Sequence, residues 1–175
     1  MKTLKTLTLL ILVLIGFKSN AQTDKATTLR IVEERNYAFV ATSAIPTNST
    51  DINDVLRKMP GNVGGGSINL SGSSYDVRIT KDSVVAYLPY YGRSYSASMN
   101  PDENGYKFKT KNFTYNAEKT KKGGWNVNIN TKDVKDNARM TFNISTNGYA
   151  TLTIVSNNKQ SIMYSGYLSE NKKKD

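Results

Sequence analysis

Alternating apolar and polar residues dominate the sequence beyond about residue 67. The strongest example is residues 75–95, YDVRITKDSVVAYLPYYGRSY, in which residues 75–80 and 84–88 each place an apolar side chain at every second position. A period of two is that of a β-strand with one buried face. The polar pair Lys81-Asp82 between the two segments has the length of a hairpin turn. This region therefore predicts a β-hairpin.

The same period recurs along most of the chain and predicts a mainly β protein of about eight to ten strands. Because a sheet with one apolar face must cover that face, it either packs on a second sheet or closes into a barrel, and closure also removes the edge strands. The predicted fold is accordingly a single antiparallel meander closing into a barrel. Such a barrel either fills with side chains or holds one small ligand, and the pattern leaves both open. The further predicted strands are 37–44, 68–71, 95–99, 106–110, 113–117, 125–129, 139–144, 150–154 and 160–168.

Asn147-Gly148 lies between two alternating segments, 140–144 and 150–154. Asn-Gly is a strong hairpin signal, because both residues tolerate the positive φ that a type I′ turn needs at two successive positions. The sequence therefore predicts a tight two-residue turn at this point.

A short N-terminal helix is predicted before the first strand. Thr23 or Asp24 offers a capping side chain, and the helix is expected to run to about Arg35. Leu29 and Val32 are expected to face inward from it.

Residues 46–66 form an irregular connector. An apolar stripe at helical spacing inside it predicts a second short helix near 51–59. The triple glycine 64–66 follows. It is interpreted either as the hinge of a lid over a barrel mouth or as part of a plain connector.

Residues 1–21 have the pattern of a secretory signal peptide. Lys2 and Lys5 precede an apolar run of about a dozen residues, and Ser19-Asn20-Ala21 supplies small residues for cleavage after Ala21. The run is short for a membrane span of about 20 residues, although an uncleaved anchor is the alternative. We therefore predict an exported protein, periplasmic or extracellular, whose single domain is 22–175 and which does not span the membrane after cleavage.

The formal net charge is +10, and the sequence contains no cysteine. Disulfides and a lipid-modified N-terminal cysteine are therefore impossible. The basic residues are scattered, apart from a basic tail in 169–175, whereas nucleic-acid binding favours basic residues clustered on one face. The charge is consistent with attraction to anionic glycans or lipid headgroups, or with ordinary solubility, and we expect no nucleic-acid partner.

The corner that follows the predicted hairpin is rich in tyrosine. Tyr87, Tyr90, Tyr91, Arg93 and Tyr95 fall within nine residues. Aromatic faces and a guanidinium fork suit a sugar, carboxylate or phosphate, which makes the corner a candidate ligand-binding rim. The alternative is a structural corner whose polar groups are satisfied internally.

The composition restricts the possible chemistry. Histidine is absent as well as cysteine, which excludes Ser-His-Asp and Cys-His catalysis and ordinary zinc sites. Ser156 and Lys159 match the S-x-x-K pattern on a predicted turn, which is not its catalytic setting. Residues 100–105 begin like a calcium loop but lack the acid at the twelfth position, so a hairpin loop is expected, with calcium binding through Asp102 and Glu103 as the alternative. No catalytic residue, metal or cofactor is predicted. A carboxylate-only hydrolase would have to use acids predicted in turns, namely Asp82, Asp102, Glu103, Asp133 and Asp136.

Residues 75–95, together with GGWNVNI (123–129), NGYATLTIVS (147–156) and IMYSGYL (162–168), resemble the domain of unknown function 4251 family of exported Bacteroidota proteins. The resemblance covers about residues 28–168. It implies export and a lipocalin-like β-barrel, and it implies no activity, substrate or catalytic residue. Many members look like lipoproteins, whereas this chain has no cysteine.

Three hypotheses follow. The leading one is a non-enzymatic exported barrel that binds a small apolar or amphipathic ligand or a cell-envelope component such as a glycan or lipid. The second is an envelope protein-interaction or structural module. The third is the carboxylate-only hydrolase. The sequence does not indicate an oligomeric state.

Overall fold

The computed structural model describes residues 23–47, 66–95, 105–134 and 137–171. Within these ranges the chain forms one helix and ten strands, with the following bounds. The helix is α1 (Lys25–Glu33), and the strands are β1 (Tyr37–Pro46), β2 (Ile68–Asn69), β3 (Asp76–Ile79), β4 (Val84–Leu88), β5 (Tyr106–Thr110), β6 (Phe113–Lys119), β7 (Trp125–Thr131), β8 (Arg139–Ile144), β9 (Tyr149–Val155) and β10 (Ile162–Glu170).

Several predicted features lie outside the described residues. They are the signal peptide 1–21, the helix near 51–59, most of the glycine joint 64–66, the strand 95–99 beyond its first residue, and the end of the basic tail.

The strands form one antiparallel sheet in the order β5-β4-β3-β1-β10-β9-β8-β7-β6, with β2 paired to β1. Strand direction reverses at each step, so β5 and β6, three and five steps from β1, run in the same direction. Only residues 111 and 112 separate them. The two edges of the sheet are therefore joined by the chain itself, and the sheet curls into a nearly closed barrel.

This arrangement confirms the mainly β antiparallel barrel and corrects one detail of the meander. Residues 106–119 are a single bent strand rather than two strands joined by a hairpin: the first half pairs with β4 and the second with β7. The Lys132 N–H donates to the Asn112 carbonyl (3.1 Å), which continues the β7 pairing into the bend. With 106–119 counted as one strand and the short β2 set aside, the barrel has eight positions.

The barrel centre is filled with large side chains. Phe39 and Phe142 meet edge to face at its middle, with ring centroids 5.7 Å apart. Apolar side chains from all around the sheet surround this pair and are almost completely buried, as the alternation predicts. They include Tyr37, Val77, Ile79, Val84, Val127, Ile129, Met140, Leu152, Ile154, Ile162, Tyr164 and Leu168.

Helix α1 covers one end of the barrel, which we call the helix end. Asp24 caps the helix by accepting a hydrogen bond from the Thr27 N–H (2.8 Å), which lowers the pKa of its carboxyl group. Thr28, Ile31 and Val32 are buried. Leu29 was predicted to face inward, and this is wrong: it is 40% exposed. Positions i, i+3 and i+4 share one helix face, and Leu29 lies beside that face.

Charged contacts attach α1 to the sheet. Arg30 forms ion pairs with Glu34 (3.2 Å) and with Glu170 at the end of β10, and Glu33 pairs with Lys119 at the end of β6 (3.0 Å). These side chains are about half exposed, so the contacts orient the helix more than they stabilise the fold. Within the described ranges, no helix has the length and apolar character needed to cross a membrane.

The hairpin at Asn147-Gly148 is confirmed, but its predicted turn type is wrong. The Gly148 N–H donates to the Ser145 carbonyl (3.2 Å) and the Ser145 N–H to the Tyr149 carbonyl (2.8 Å). Gly148 has φ 78°, while positive φ among the described non-glycine residues occurs at Arg35 and Asn137. The loop is therefore a three-residue connection that ends in a left-handed glycine.

Candidate functional site

The opposite end of the barrel, which we call the corner end, contains the predicted tyrosine-rich corner and the β9–β10 turn. The Tyr90 hydroxyl donates to the Arg93 carbonyl (2.8 Å) and lies 3.1 Å from the Gln160 carbonyl. Burial, followed by the neighbouring Tyr106, raises the pKa of Tyr90 to about 12. The Tyr164 hydroxyl donates to the Pro89 carbonyl (2.6 Å). These hydroxyl groups are occupied in holding main-chain carbonyls.

Lys159 completes this arrangement. It is only 7% exposed. Its Nζ lies 4.8 Å from the ring centroid of Tyr106 and 5.7 Å from that of Tyr90, and it donates to the Gly105 carbonyl (3.3 Å). Aromatic faces attract an ammonium group, so these contacts hold the Lys159 side chain at the corner end. The Ser156 hydroxyl lies 3.3 Å from the Tyr106 hydroxyl.

The predicted site residues Tyr87, Tyr91 and Tyr95 make different contacts. Tyr87 lies on the outer face of β4, with its ring against Tyr75 (5.5 Å) and beneath Lys107 (5.4 Å). Tyr91 is half-buried against the core, and burial raises its pKa. Tyr95 is 68% exposed, although its main chain pairs with the β9–β10 turn. These contacts fit the structural interpretation of the corner.

Two of the acids considered for a hydrolase lie within the described residues. Asp82 and Asp133 are exposed in separate turns, and Asp102, Glu103 and Asp136 lie outside the described residues, as does nearly all of the calcium-like segment. Within the described ranges, no three acids approach closely enough to hold a metal ion.

A groove of about 860 Å³ crosses the outer face of the barrel near the helix end. It spans β7, β8, β9, β10 and β1, and the turns β6–β7 and β8–β9 border it. Its lining combines small polar side chains, two lysines and two aromatic rings, and it contains no acid. The lining residues are Thr42, Thr120, Lys121, Lys122, Gly124, Trp125, Asn126, Asn143, Ile144, Ser145, Thr146, Tyr149, Ala150, Thr151, Ser165 and Gly166.

The groove floor is a row of outward side chains set by strand register. Asn126 pairs with Asn143, Asn143 with Thr151, and Thr151 with Ser165. At the end of the row the Thr42 hydroxyl donates to the Ser165 carbonyl (3.1 Å), where the β1–β10 register shifts. Amide and hydroxyl groups both donate and accept hydrogen bonds, so this row is suited to ligand hydroxyl groups.

Two matching turns form one wall. The β6–β7 turn repeats the geometry of the β8–β9 turn: the Gly123 N–H donates to the Thr120 carbonyl (3.0 Å), and Gly123 has φ 82°. A Cβ added at Gly123 would lie 3.4 Å from Thr146 Cγ2, so the two turns are neighbours. Lys121 and Lys122 occupy the central positions of the first turn, where their side chains are exposed.

Two aromatic residues complete the groove. Tyr149, the first residue of β9, is 56% exposed and lies opposite Tyr167 of β10. Trp125 is nearly buried, and the Lys119 Nζ lies 4.9 Å from its ring centroid. An exposed tyrosine beside a polar floor is an arrangement that binds a ring with one apolar face.

Sequence reasoning missed this groove. The alternation placed Asn126 and its row on the outer face, but aligning the row required the register of five strands. A usable signal was present in the two turns, since Thr-Lys-Lys-Gly (120–123) and Ser-Thr-Asn-Gly (145–148) each end in a glycine.

The fold and the groove define a small antiparallel β-barrel with a packed centre, a capping helix at one end and an outer cleft. The chain belongs to the family described as domain of unknown function DUF4251, whose profile matches residues 19–168. It is similar in fold to the crystal structure of a DUF4251 family protein from Bacteroides eggerthii DSM 20697 at 1.95 Å resolution. That similarity has a TM-score of 0.55 and 11% sequence identity, and covers 83% of this chain and 87% of the other. No curated protein matches the chain.

Proposed function

We propose that this protein is an exported, non-enzymatic barrel that binds a sugar-containing component of the cell envelope in its outer groove. The observation that carries the proposal is the exposed Tyr149 ring beside the row Asn126, Asn143, Thr151 and Ser165. A sugar offers a CH-rich face to an aromatic ring and hydroxyl groups to amides.

The barrel interior is a poor place for this ligand. Phe39, Phe142 and their neighbours leave no exposed surface along the described centre, and displacing such packed side chains would cost several kcal/mol, on the order of 3–5 for one large aromatic. The corner end is also less suitable, because its hydroxyl groups already hold main-chain carbonyls.

Export is supported by the pattern of residues 1–21, and the lack of enzymatic activity by the absence of histidine and cysteine. N-terminal sequencing of the protein recovered from the periplasm or culture medium tests the first. We expect the mature chain to begin at Gln22. Retention of the leader would contradict this.

The binding proposal is tested with isotope-labelled protein titrated with neutral disaccharides and with glycan fragments released from a bacterial envelope. We expect amide shifts along β7–β10 and in the two matching turns, and Tyr149→Ala should weaken binding about tenfold through loss of the stacking contact. Tyr95→Ala, an exposed tyrosine at the corner end, is the matched control and should leave affinity unchanged. Shifts confined to the corner end, or none with any saccharide, would refute the proposal.

A further inference from the structure

We infer that the sugar bound in the groove carries a negative charge, a carboxylate or phosphate group, which Lys121 and Lys122 recognise. This inference rests on the proposed function and names the class of saccharide that the groove selects.

The first observation is the charge of the lining. Lys121 and Lys122 line the groove, and none of its lining residues is an acid, although the chain contains 14 acids. The floor consists of neutral amides and hydroxyl groups. Because the floor supplies no counter-charge and the screening length is about 8 Å at physiological ionic strength, the two ammonium groups give the groove a positive potential.

The second observation is the difference between these lysines and Lys119. Lys119 is paired with Glu33 (3.0 Å) and lies over Trp125, so its charge is already used to attach α1. Among the described residues, Lys121 and Lys122 have no ion-pair partner. Their side chains are exposed at the groove wall, where they can contact a ligand.

The third observation is the geometry of the turn. The Gly123 conformation and the Thr120–Gly124 main-chain hydrogen bond (2.9 Å) fix the backbone beneath both lysines. The β8–β9 turn lies beside Gly123, since a Cβ added there would meet Thr146. The flexible lysine side chains then supply charge-assisted hydrogen bonds to a carboxylate or phosphate oxygen, while Tyr149 and the floor contact the sugar ring.

One acid lies beside the row. Glu118 of β6 is the cross-strand partner of Asn126, and it accepts a hydrogen bond from the Asn116 amide (3.0 Å). An acid at this position weakens the binding of an anion, so its removal gives a second test of opposite sign.

The experiment compares four probes by calorimetry on the mature chain: digalacturonate, neutral galactobiose, galactose 6-phosphate and inorganic phosphate. We expect digalacturonate or galactose 6-phosphate to bind at least about tenfold more tightly than galactobiose at low salt, and the preference to decline with added salt. The double variant Lys121→Ala/Lys122→Ala should bind digalacturonate and galactobiose equally, each with the affinity that the wild type has for galactobiose. Lys132→Ala, an exposed lysine outside the groove lining, is the matched control and should keep the preference. Glu118→Gln should raise the affinity for the charged probe about twofold.

The two saccharide acids distinguish the source of the charge, since preference for one over the other identifies a carboxylate or a phosphate ligand. Equal binding of charged and neutral sugars, with both weakened by Tyr149→Ala, would refute this inference and leave the proposed function intact. A charge preference that survives in the double variant would also refute it. Inorganic phosphate that binds as tightly as the charged sugars would show simple anion attraction and overturn the saccharide assignment. Failure of all saccharides would refute the proposed function itself.

Discussion

Apolar side chains of α1 close the helix end of the barrel, whereas hydroxyl and ammonium groups bound to main-chain carbonyls close the corner end. At the helix end Ile31 and Val32 enter the core, and the polar residues nearby remain on the surface, where they line a groove. At the corner end Tyr90, Tyr164 and Lys159 are committed to internal contacts. The tyrosine-rich segment therefore serves to close the barrel at the corner end. The candidate site lies near the helix end, where the sequence is mostly small and polar.

The largest loss of stability is expected when an apolar side chain of α1 that closes the helix end is removed. Ile31→Ala removes a side chain that is 1% exposed and leaves a cavity under the helix, which should lower the free energy of unfolding by about 3 kcal/mol. Chemical denaturation measures this. Leu29→Ala on the exposed side of the same helix is the control, with an expected loss below about 0.5 kcal/mol. Equal losses would mean that α1 does not seal the barrel.

A smaller loss is expected from the polar closure. Tyr164→Phe keeps the ring in the core but removes the donor to the Pro89 carbonyl (2.6 Å). The partly buried carbonyl then lacks its partner, so the free energy of unfolding should fall by about 1–2 kcal/mol. Tyr167→Phe on the outer side of the same strand is the control and should have little effect. If Tyr164→Phe leaves the free energy of unfolding unchanged, water replaces the hydroxyl group without cost.

The corner end should also weaken in alkali. The folded pKa of Tyr90, about 12, lies above its ordinary value of 10.0, so the unfolded chain loses this proton first as pH rises. The stabilisation that the protonated Tyr90 gives to the folded state is fully present below about pH 10 and is lost as pH rises to about 12. Unfolding of the wild type and Tyr90→Phe should be compared at about pH 9 and about pH 11. The variant should be less stable at the lower pH, through the lost hydrogen bond, and should show the shallower decline.

Tyr149→Phe, which changes an exposed tyrosine near the helix end, is the matched control and should decline in stability with pH as the wild type does. If the wild type and Tyr90→Phe decline in parallel, the corner tyrosine does not limit stability in alkali.

The smallest effect concerns the ion pairs that attach the helix. Glu33→Gln removes the partner of Lys119 (3.0 Å), and both side chains are about half exposed. The expected loss is below about 1 kcal/mol and should shrink at high salt. Thermal unfolding at low and high salt measures it, with Asp82→Asn as the control, since Asp82 is exposed and takes part in none of the ion pairs of the described residues. A loss comparable to that of Ile31→Ala would contradict the view that apolar burial dominates this end.

Much of the fold could be predicted from the sequence, because a period of two determines which side chains face inward. Val127, Leu152 and Ile154 are buried at the positions that the alternation assigns. The bend at residues 111–112 could not be predicted, since a polar pair between two short strands normally indicates a hairpin. The distinction depends on which strands pair with each half, and that is a long-range property.

The candidate site was less accessible from sequence. The tyrosine-rich corner attracted attention because of its composition, but hydrogen-bond partners such as Gln160 and Pro89 decide how its side chains are used. The groove depends on register across five strands and on two turns that lie side by side at Gly123 and Thr146. Neither the strand register nor the proximity of the two turns produces a pattern in the local sequence. The prediction that Leu29 faces inward was wrong for a related reason, since the helix face that contains Leu29 and the neighbouring face that is buried have similar apolar content.

The pairing of the first strand with the last has a consequence for biogenesis. Tyr37 of β1 is paired with Glu170 of β10, so a polypeptide that emerges amino end first, from a ribosome or a translocation channel, cannot form that pairing until β10 has emerged. Closing so long a loop is slow. The main-chain N–H and C=O groups on one edge of β1 therefore stay unpaired until β10 emerges. A chaperone that shields residues 37–46 would protect the protein during the period when it is most prone to aggregation.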